Sequence, residues 1–268
     1  MTYRTATEAW LSLLGNVQRD GLYVGTANHG QSVELINNRL YFNMRYPVVT
    51  AMARNLNYRY PIAESHLTIL GSNRLDFSES IAKTLHPWSD DKVFINGAYG
   101  PKFVDQLPYV TQLLRKKPAS RQAVISLWRD SPRESLDVPC TVIMHFLIRE
   151  DKLHCIVYMR SSDSYLGLPN DMLVFTMLAT EVLMELRVGA VTSPLELGDM
   201  HINLGSSHIY TKDDEKVSDI IDTPVILSAE PFEPHKWIWP QFIAFLASVS
   251  KMTKPEAQDA VFNWGWLE

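Results

Sequence analysis

Cysteine is scarce: Cys140 and Cys155 are the two in 268 residues, too few for a disulfide scaffold. No apolar run approaches the ~20 residues that a bilayer-spanning helix needs. No basic, then apolar, then small-residue leader opens the chain, so the expectation is a soluble, cytoplasmic protein with no membrane partner, in a host cytoplasm if the source is a phage. Positive charge is also in deficit, with 25 Lys+Arg against 30 Asp+Glu and a net charge of -5. That balance leaves no electrostatic footprint for nucleic acid or anionic lipid and points instead to a small polar ligand. Repeats, low-complexity tracts and Pro/Gly/Ser linkers are missing too. A single domain over residues 1–268 is therefore expected, and 46% hydrophobic residues are enough for a sizeable core.

The chain alternates helix-like and strand-like segments. Residues 5–15 have helical spacing, with Ala6, Trp10, Leu11 and Leu14 on one side. Residues 32–44 read as strand with a turn at Asn37-Asn38. "IAESHLTILG" reads as a short helix stopped by Gly71, and "KFVDQLPYVTQLLRKK" as a helix interrupted near Pro108 and ended by Pro118. "RQAVISLWR", "CTVIMHFLIR" and "KLHCIVYMR" are strand-like, the last two forming a hairpin across Glu150-Asp151. "DMLVFTMLATEVLMELRVG" is apolar nearly all round, so it is expected to be a buried central helix. Another strand is expected from Ala190 into "MHINLG". The order predicts an α/β (α+β) fold, a mixed sheet covered by helices.

Several residues carry candidate chemistry. Cys140 follows Pro139 at the start of an apolar strand, where a thiol can face a cleft and an arginine such as Arg160 would favour the thiolate. Cys155 lies mid-strand and reads as structural. Arg160-Ser161 and Ser120-Arg121, near strand ends, offer forked donors for a phosphate. His208 and Tyr210, two apart in an extended segment, point the same way; they suit a sugar hydroxyl, and His208 alternatively suits a base for Cys140 in a cysteine hydrolase. His145, His154 and His201 read as structural, and no Cys/His spacing resembles a zinc site. Glu64 lies on an apolar helix face, where a carboxylate pairs, moves protons or complements the helix dipole.

Taken in order, "IAESHLTILG", "INGAYG", "SRQAVIS", "PCTVIMHFLIR", "YMRSSDSYLGLPND" and "NLGSSHIY" resemble the thymidylate synthase superfamily, over roughly residues 30 to 212. The closest likeness is to its deoxycytidylate hydroxymethylase branch, known from bacteriophages. The resemblance implies a three-layer subunit that dimerises through its sheet. It also implies transfer of a one-carbon unit from 5,10-methylenetetrahydrofolate to C5 of a pyrimidine nucleoside monophosphate. Cys140 matches the nucleophile, Glu64 the glutamate that organises water and protons, and Tyr99 the tyrosine near the proton-removal step. Asp163 and Trp88 match folate-binding positions. Arg160 and Ser161 match phosphate ligands, and Arg121 matches an arginine that crosses into the partner's site.

Asp171 lies four residues after Gly167 of "GLP", where synthases carry asparagine and the deoxycytidylate hydroxymethylases carry aspartate. An ionised Asp171 offers acceptors alone, suiting the cytosine 4-amino group and a protonated N3, whereas an amide at neighbouring Asn170 would suit uracil. Leu85 replaces a tryptophan that shields the site in synthases, which favours attack by water and a hydroxymethyl product. The expectation is thus a dCMP hydroxymethylase; the alternatives are methyl transfer to dUMP or dCMP, hydroxymethylation of CMP, and a nucleotide-binding dimer without turnover. Gln122 stands for a second family arginine, and the loop near residues 25 to 31 lacks a phosphate-binding arginine, a loss that Arg129 or a lysine is positioned in sequence to compensate. Trp264 and Trp266 either cover the folate or pack in the core.

Overall fold

The computed structural model describes residues 5–26, 30–129, 134–188 and 195–264. Helix α1 (Ala6–Asp20) opens on a capping box: the Glu8 N–H donates to Thr5 Oγ1 at 3.1 Å, and the Thr5 N–H donates to Glu8 Oε2 at 2.9 Å. Its buried Trp10 donates from Nε1 to the Ser164 carbonyl at 2.7 Å, pinning a loop that contributes to the candidate site.

Seven strands make one mixed sheet: β1 (Leu22–Thr26), β2 (Gly30–Asn43), β3 (Val124–Ser126), β4 (Thr141–Arg149), β5 (Lys152–Met159), β6 (Ser162–Asp163) and β7 (Glu196–Tyr210). Their spatial order is β1-β2-β7-β5-β4-β3, with β6 also paired to β7. Strand β7 is the spine, antiparallel to β2 on one side and parallel to β5 and β6 on the other. The β4-β5 hairpin turns at Glu150 and Asp151, both left-handed (φ 51° and 55°), as a two-residue type I′ loop requires. Neither residue is the favoured one there. Replacing the pair with Asn-Gly is expected to raise thermal stability by about 1 kcal/mol, read from unfolding curves.

Helix α5 (Leu168–Arg187) runs through the core with nearly every face buried, as its composition predicts. Around it pack α2 (Arg59–Ile69), α4 (Gly100–Lys116) and α7 (Trp239–Val249), while α6 (Asp214–Asp222) packs on α1. Helices α3 (Glu79–Leu85) and α8 (Lys254–Asn263) complete the covering layers. Ala63, Leu67, Leu75, Ile81 and Ile95 form a second, smaller apolar cluster beside the main core.

Three local expectations are corrected. Helix α4 continues through Pro108, because the ring lies on the solvent side while Phe103, Val110 and Leu114 keep one buried stripe across it. Asn37-Asn38 is no turn: Asn37 is left-handed (φ 55°) inside a continuous β2, and its neighbours stay in register with β7. Strand β3 is far shorter than the run 121–129. Strand β7 extends to Tyr210, and the expected start near Ala190 lies outside the described residues. Gly71 ends α2 in a left-handed conformation (φ 69°), as expected. No helix among the described residues is long and apolar enough to cross a membrane.

Candidate active site

A cavity of about 250 Å³ opens between the N-terminus of α5, α2, and the loops preceding α4 and β4. It lies just under the ~300–1,000 Å³ usual for small-molecule pockets, so it has the scale of one ring system with its substituents. Of the residues singled out in the sequence, Cys140, Glu64, Tyr99, Ser161, Asp163 and Asp171 all line it. They arrive from five elements or loops and are brought together by the fold alone.

Cys140 is half-buried, immediately before β4. Its carbonyl accepts the Arg160 N–H at 2.9 Å. The Arg160 guanidinium braces the same loop, donating from Nε to Pro139 O at 2.9 Å and from Nη2 to Val138 O at 3.1 Å, with Nη2 3.8 Å from Cys140 Sγ. Burial nonetheless pushes the thiol pKa up, Arg160 opposes, and Asp171 and Asp137 add to the rise. The free site therefore favours the thiol, and Arg160 alone does not turn it into the thiolate expected from sequence.

Tyr99 is the N-cap residue of α4, and its hydroxyl accepts from the Thr141 N–H at 3.3 Å and from Thr141 Oγ1 at 2.9 Å. Burial, followed by Asp171 and Cys140, holds its pKa well above that of an ordinary tyrosine. Glu64 faces the cavity from α2. Burial raises its pKa to about 7, against a hydrogen bond from Tyr60 one helical turn earlier on the same face. A carboxyl raised from 4.5 contributes stability that is complete below pH 4.5 and lost as pH rises through 7. Glu64→Gln, which cannot ionise, should gain on the wild type across that window. Above pH 7 the gain should be about 3 kcal/mol by denaturant titration at several pH values.

Asp171 occupies the first turn of α5. Among the described residues no donor reaches its carboxyl, while burial, then Glu64 and Asp163, hold its pKa well above the carboxylate range. That direction favours the neutral acid in the free cavity, whereas the expectation from sequence is an ionised group against the base. Asn170 turns away and donates from Nδ2 to Leu166 O at 3.0 Å, outside the cavity lining. Asp163 Oδ1 accepts the N–H groups of Tyr165 and Leu166 at 3.0 and 2.8 Å. Its strand partner across β6-β7 is His208, whose ring meets Tyr210 edge-on at 5.2 Å. Neither His208 nor Tyr210 lines the cavity.

Other sequence candidates are placed elsewhere. Arg121 is exposed before β3 and Trp88 is 44% exposed, neither lining the cavity. Arg129 is committed to Asn96, donating to its carbonyl and, at 2.8 Å, to Oδ1. Trp264 packs in the core against Phe232 and Phe245, and Trp266 lies outside the described residues. Cys155 is fully buried, as read from sequence. Sequence reasoning missed Tyr60, whose i, i+4 spacing to Glu64 was the available signal, and Asp137, three residues before Cys140. Among the described residues, His154, Asp199 and His201 form the one group with ligand atoms close enough to share a metal, all within 4.8 Å of one another. There the Asp199 N–H donates to His154 Nδ1 at 3.1 Å, so the backbone already uses that lone pair.

A family model described as thymidylate synthase matches residues 13–228, most of the chain and all of this cavity's lining. The chain belongs to the thymidylate synthase family. The protein is accordingly a transferase of nucleotide biosynthesis, moving a one-carbon unit from methylenetetrahydrofolate to a pyrimidine nucleotide. The mixed sheet with covering helices agrees with that family's fold. Ile81, Leu85 and Ile95 make an apolar wall of the cavity, and Asp163 lines it as well.

Proposed function

We propose that the protein hydroxymethylates C5 of a cytidine monophosphate, with dCMP the favoured substrate. The observation that carries this reading is a carboxyl group, Asp171, in the cavity that holds Cys140. As a neutral acid it donates its proton toward cytosine N3 and accepts from the 4-amino group; passing that proton to N3 leaves a carboxylate against a protonated ring.

Cys140 Sγ adds to C6 of the ring once its proton is lost, and the C5–C6 electron pair moves onto C5. Methylenetetrahydrofolate supplies the one-carbon unit that C5 takes up. Glu64, with a pKa near neutrality, exchanges protons with ring substituents and water. Tyr99, a neutral phenol beside C5's expected place, assists removal of the C5 hydrogen. Asp163 and Trp88 hold the folate, and Ser161 and Arg160 the phosphate, with His208 and Tyr210 at the sugar. Leu85 in the wall leaves room for water at the one-carbon unit, which favours the hydroxymethyl product over methyl.

Exposed Arg121 supports a homodimer formed through the sheet, in which it completes the phosphate site of the other subunit. A second reading, methyl transfer to dUMP, is favoured by the same neutral Asp171, since an undissociated acid also pairs with O4 and N3–H of uracil. Incubating the protein with dCMP, CMP or dUMP plus methylenetetrahydrofolate and weighing the products separates the readings. A hydroxymethyl group on dCMP is expected; a methyl group, a preference for dUMP, or no product overturns the proposal.

A further inference from the structure

Asp137 has no part in the chemistry above, yet its carboxyl lines the cavity with Cys140 and Glu64. It is built in with some care. Oδ2 accepts the Gly97 N–H at 2.7 Å, and a Cβ at Gly97 would come within 2.8 Å of Oδ1, so glycine is what lets the carboxyl lie flat on this backbone. The Asp137 carbonyl accepts from Asn96 Nδ2 at 3.2 Å, and the Asp137 N–H donates to Ser135 Oγ at 3.1 Å. Ser135 in turn donates to Asp90 Oδ2 at 2.7 Å, and the Leu136 N–H donates to Asp90 Oδ1 at 2.9 Å. The segment from Leu85 to Gly97, which supplies the apolar wall, is thus the segment that holds Asp137 in place. Among the described residues no hydrogen bond reaches Oδ1, and the residue lines the cavity.

An oriented, half-buried carboxylate oxygen with no donor among the described residues, in the cavity lining three residues from Cys140, is a place for water. We propose that Asp137 is a catalytic residue that binds the product-determining water and takes its proton. This rests on the hydroxymethylase reading. In the step, the water oxygen bonds to the methylene carbon carried on C5, and one water proton passes to Asp137 Oδ1. The exocyclic π pair moves into the C5–C6 bond, and the C6–S bond breaks with its pair returning to Cys140. Glu64 stays with the ring-side protons. The division of labour between two carboxyls follows from their separate anchors, Tyr60 for Glu64 and Gly97 for Asp137.

The test is Asp137→Asn, isosteric and able to keep the Gly97 hydrogen bond. Exchange of the C5 hydrogen of dCMP, which precedes the water step, is measured beside formation of hydroxymethyl product. The ratio of product formation to exchange is expected to fall by about 100-fold, the usual scale of a lost general base. An unchanged ratio overturns the proposal, whether both rates drop together, as a folding or binding defect would cause, or neither does. A wild-type protein that yields a methyl product brings down the hydroxymethylase reading itself, which the same assay shows separately.

Discussion

Cys140→Ala is expected to abolish exchange of the C5 hydrogen of dCMP, lowering it by roughly 10⁴-fold or more, because no other described group can saturate C6. The physical basis is the position of the sulfur rather than its resting ionisation. Cys140 sits at the mouth of β4, with its carbonyl tied to the Arg160 N–H and its loop held by the Arg160 guanidinium. Burial keeps the thiol protonated in the free protein. Loss of the thiol proton must therefore accompany attack. Cys155→Ala serves as the comparison, since that thiol is fully enclosed in the core and only stability should suffer. Isotope release from C5-labelled dCMP reads both; persistent release in Cys140→Ala would remove the sulfur from its assigned role.

Asp171→Asn should move base preference toward uridylate by about ten- to a hundredfold in kcat/KM, the scale of one bidentate base contact of ~1–3 kcal/mol. An amide cannot pass a proton to cytosine N3, so the ion pair that favours cytosine is lost, while O4 and N3–H of uracil keep a matched donor and acceptor. The loss should be mainly in the dCMP value, with dUMP unchanged or improved. Equal losses on both nucleotides would show that Asp171 supports the fold of the α5 N-terminus and does not read the base. Asn170→Asp gives a further control, because that side chain is bonded to Leu166 O and lies outside the cavity.

Much of this site was legible because its residues sit at places where sequence pattern and geometry agree. Cys140 at a strand start, Asp171 after a Gly-Leu-Pro turn and Glu64 on a short apolar helix all fall where local structure aims a side chain at one end of the sheet. The central helix was readable from its lack of a polar face, and the hairpin from two strand-like runs separated by two residues. What escaped depends on contacts distant in sequence. Pro108 looks like a break until Phe103, Val110 and Leu114 are seen to share one buried stripe. Asn37 looks like a turn until its strand is seen paired with β7 on both sides of it, from Ser32 to Ile36 and from Asn38 to Asn43. The raised pKa values of Asp171 and Cys140 follow first from burial and then from carboxyls on other elements, which no local window contains. For Arg160 the sequence suggests a phosphate, whereas the structure shows its guanidinium bracing the cysteine loop through carbonyls 21 and 22 residues earlier in the chain. Asp137 drew no notice because its value lies in Gly97, forty residues before it.

In the proposed reaction one carboxyl reads the edge of a pyrimidine whose face the sulfur attacks. A crystal structure with dCMP bound tests it most directly. The predicted result has the Asp171 oxygens within hydrogen-bond distance of N3 and the 4-amino group, and Cys140 Sγ about 3 Å from C6 or bonded to it. A base bound with its Watson–Crick edge away from Asp171, or with C6 out of reach of the sulfur, would contradict it.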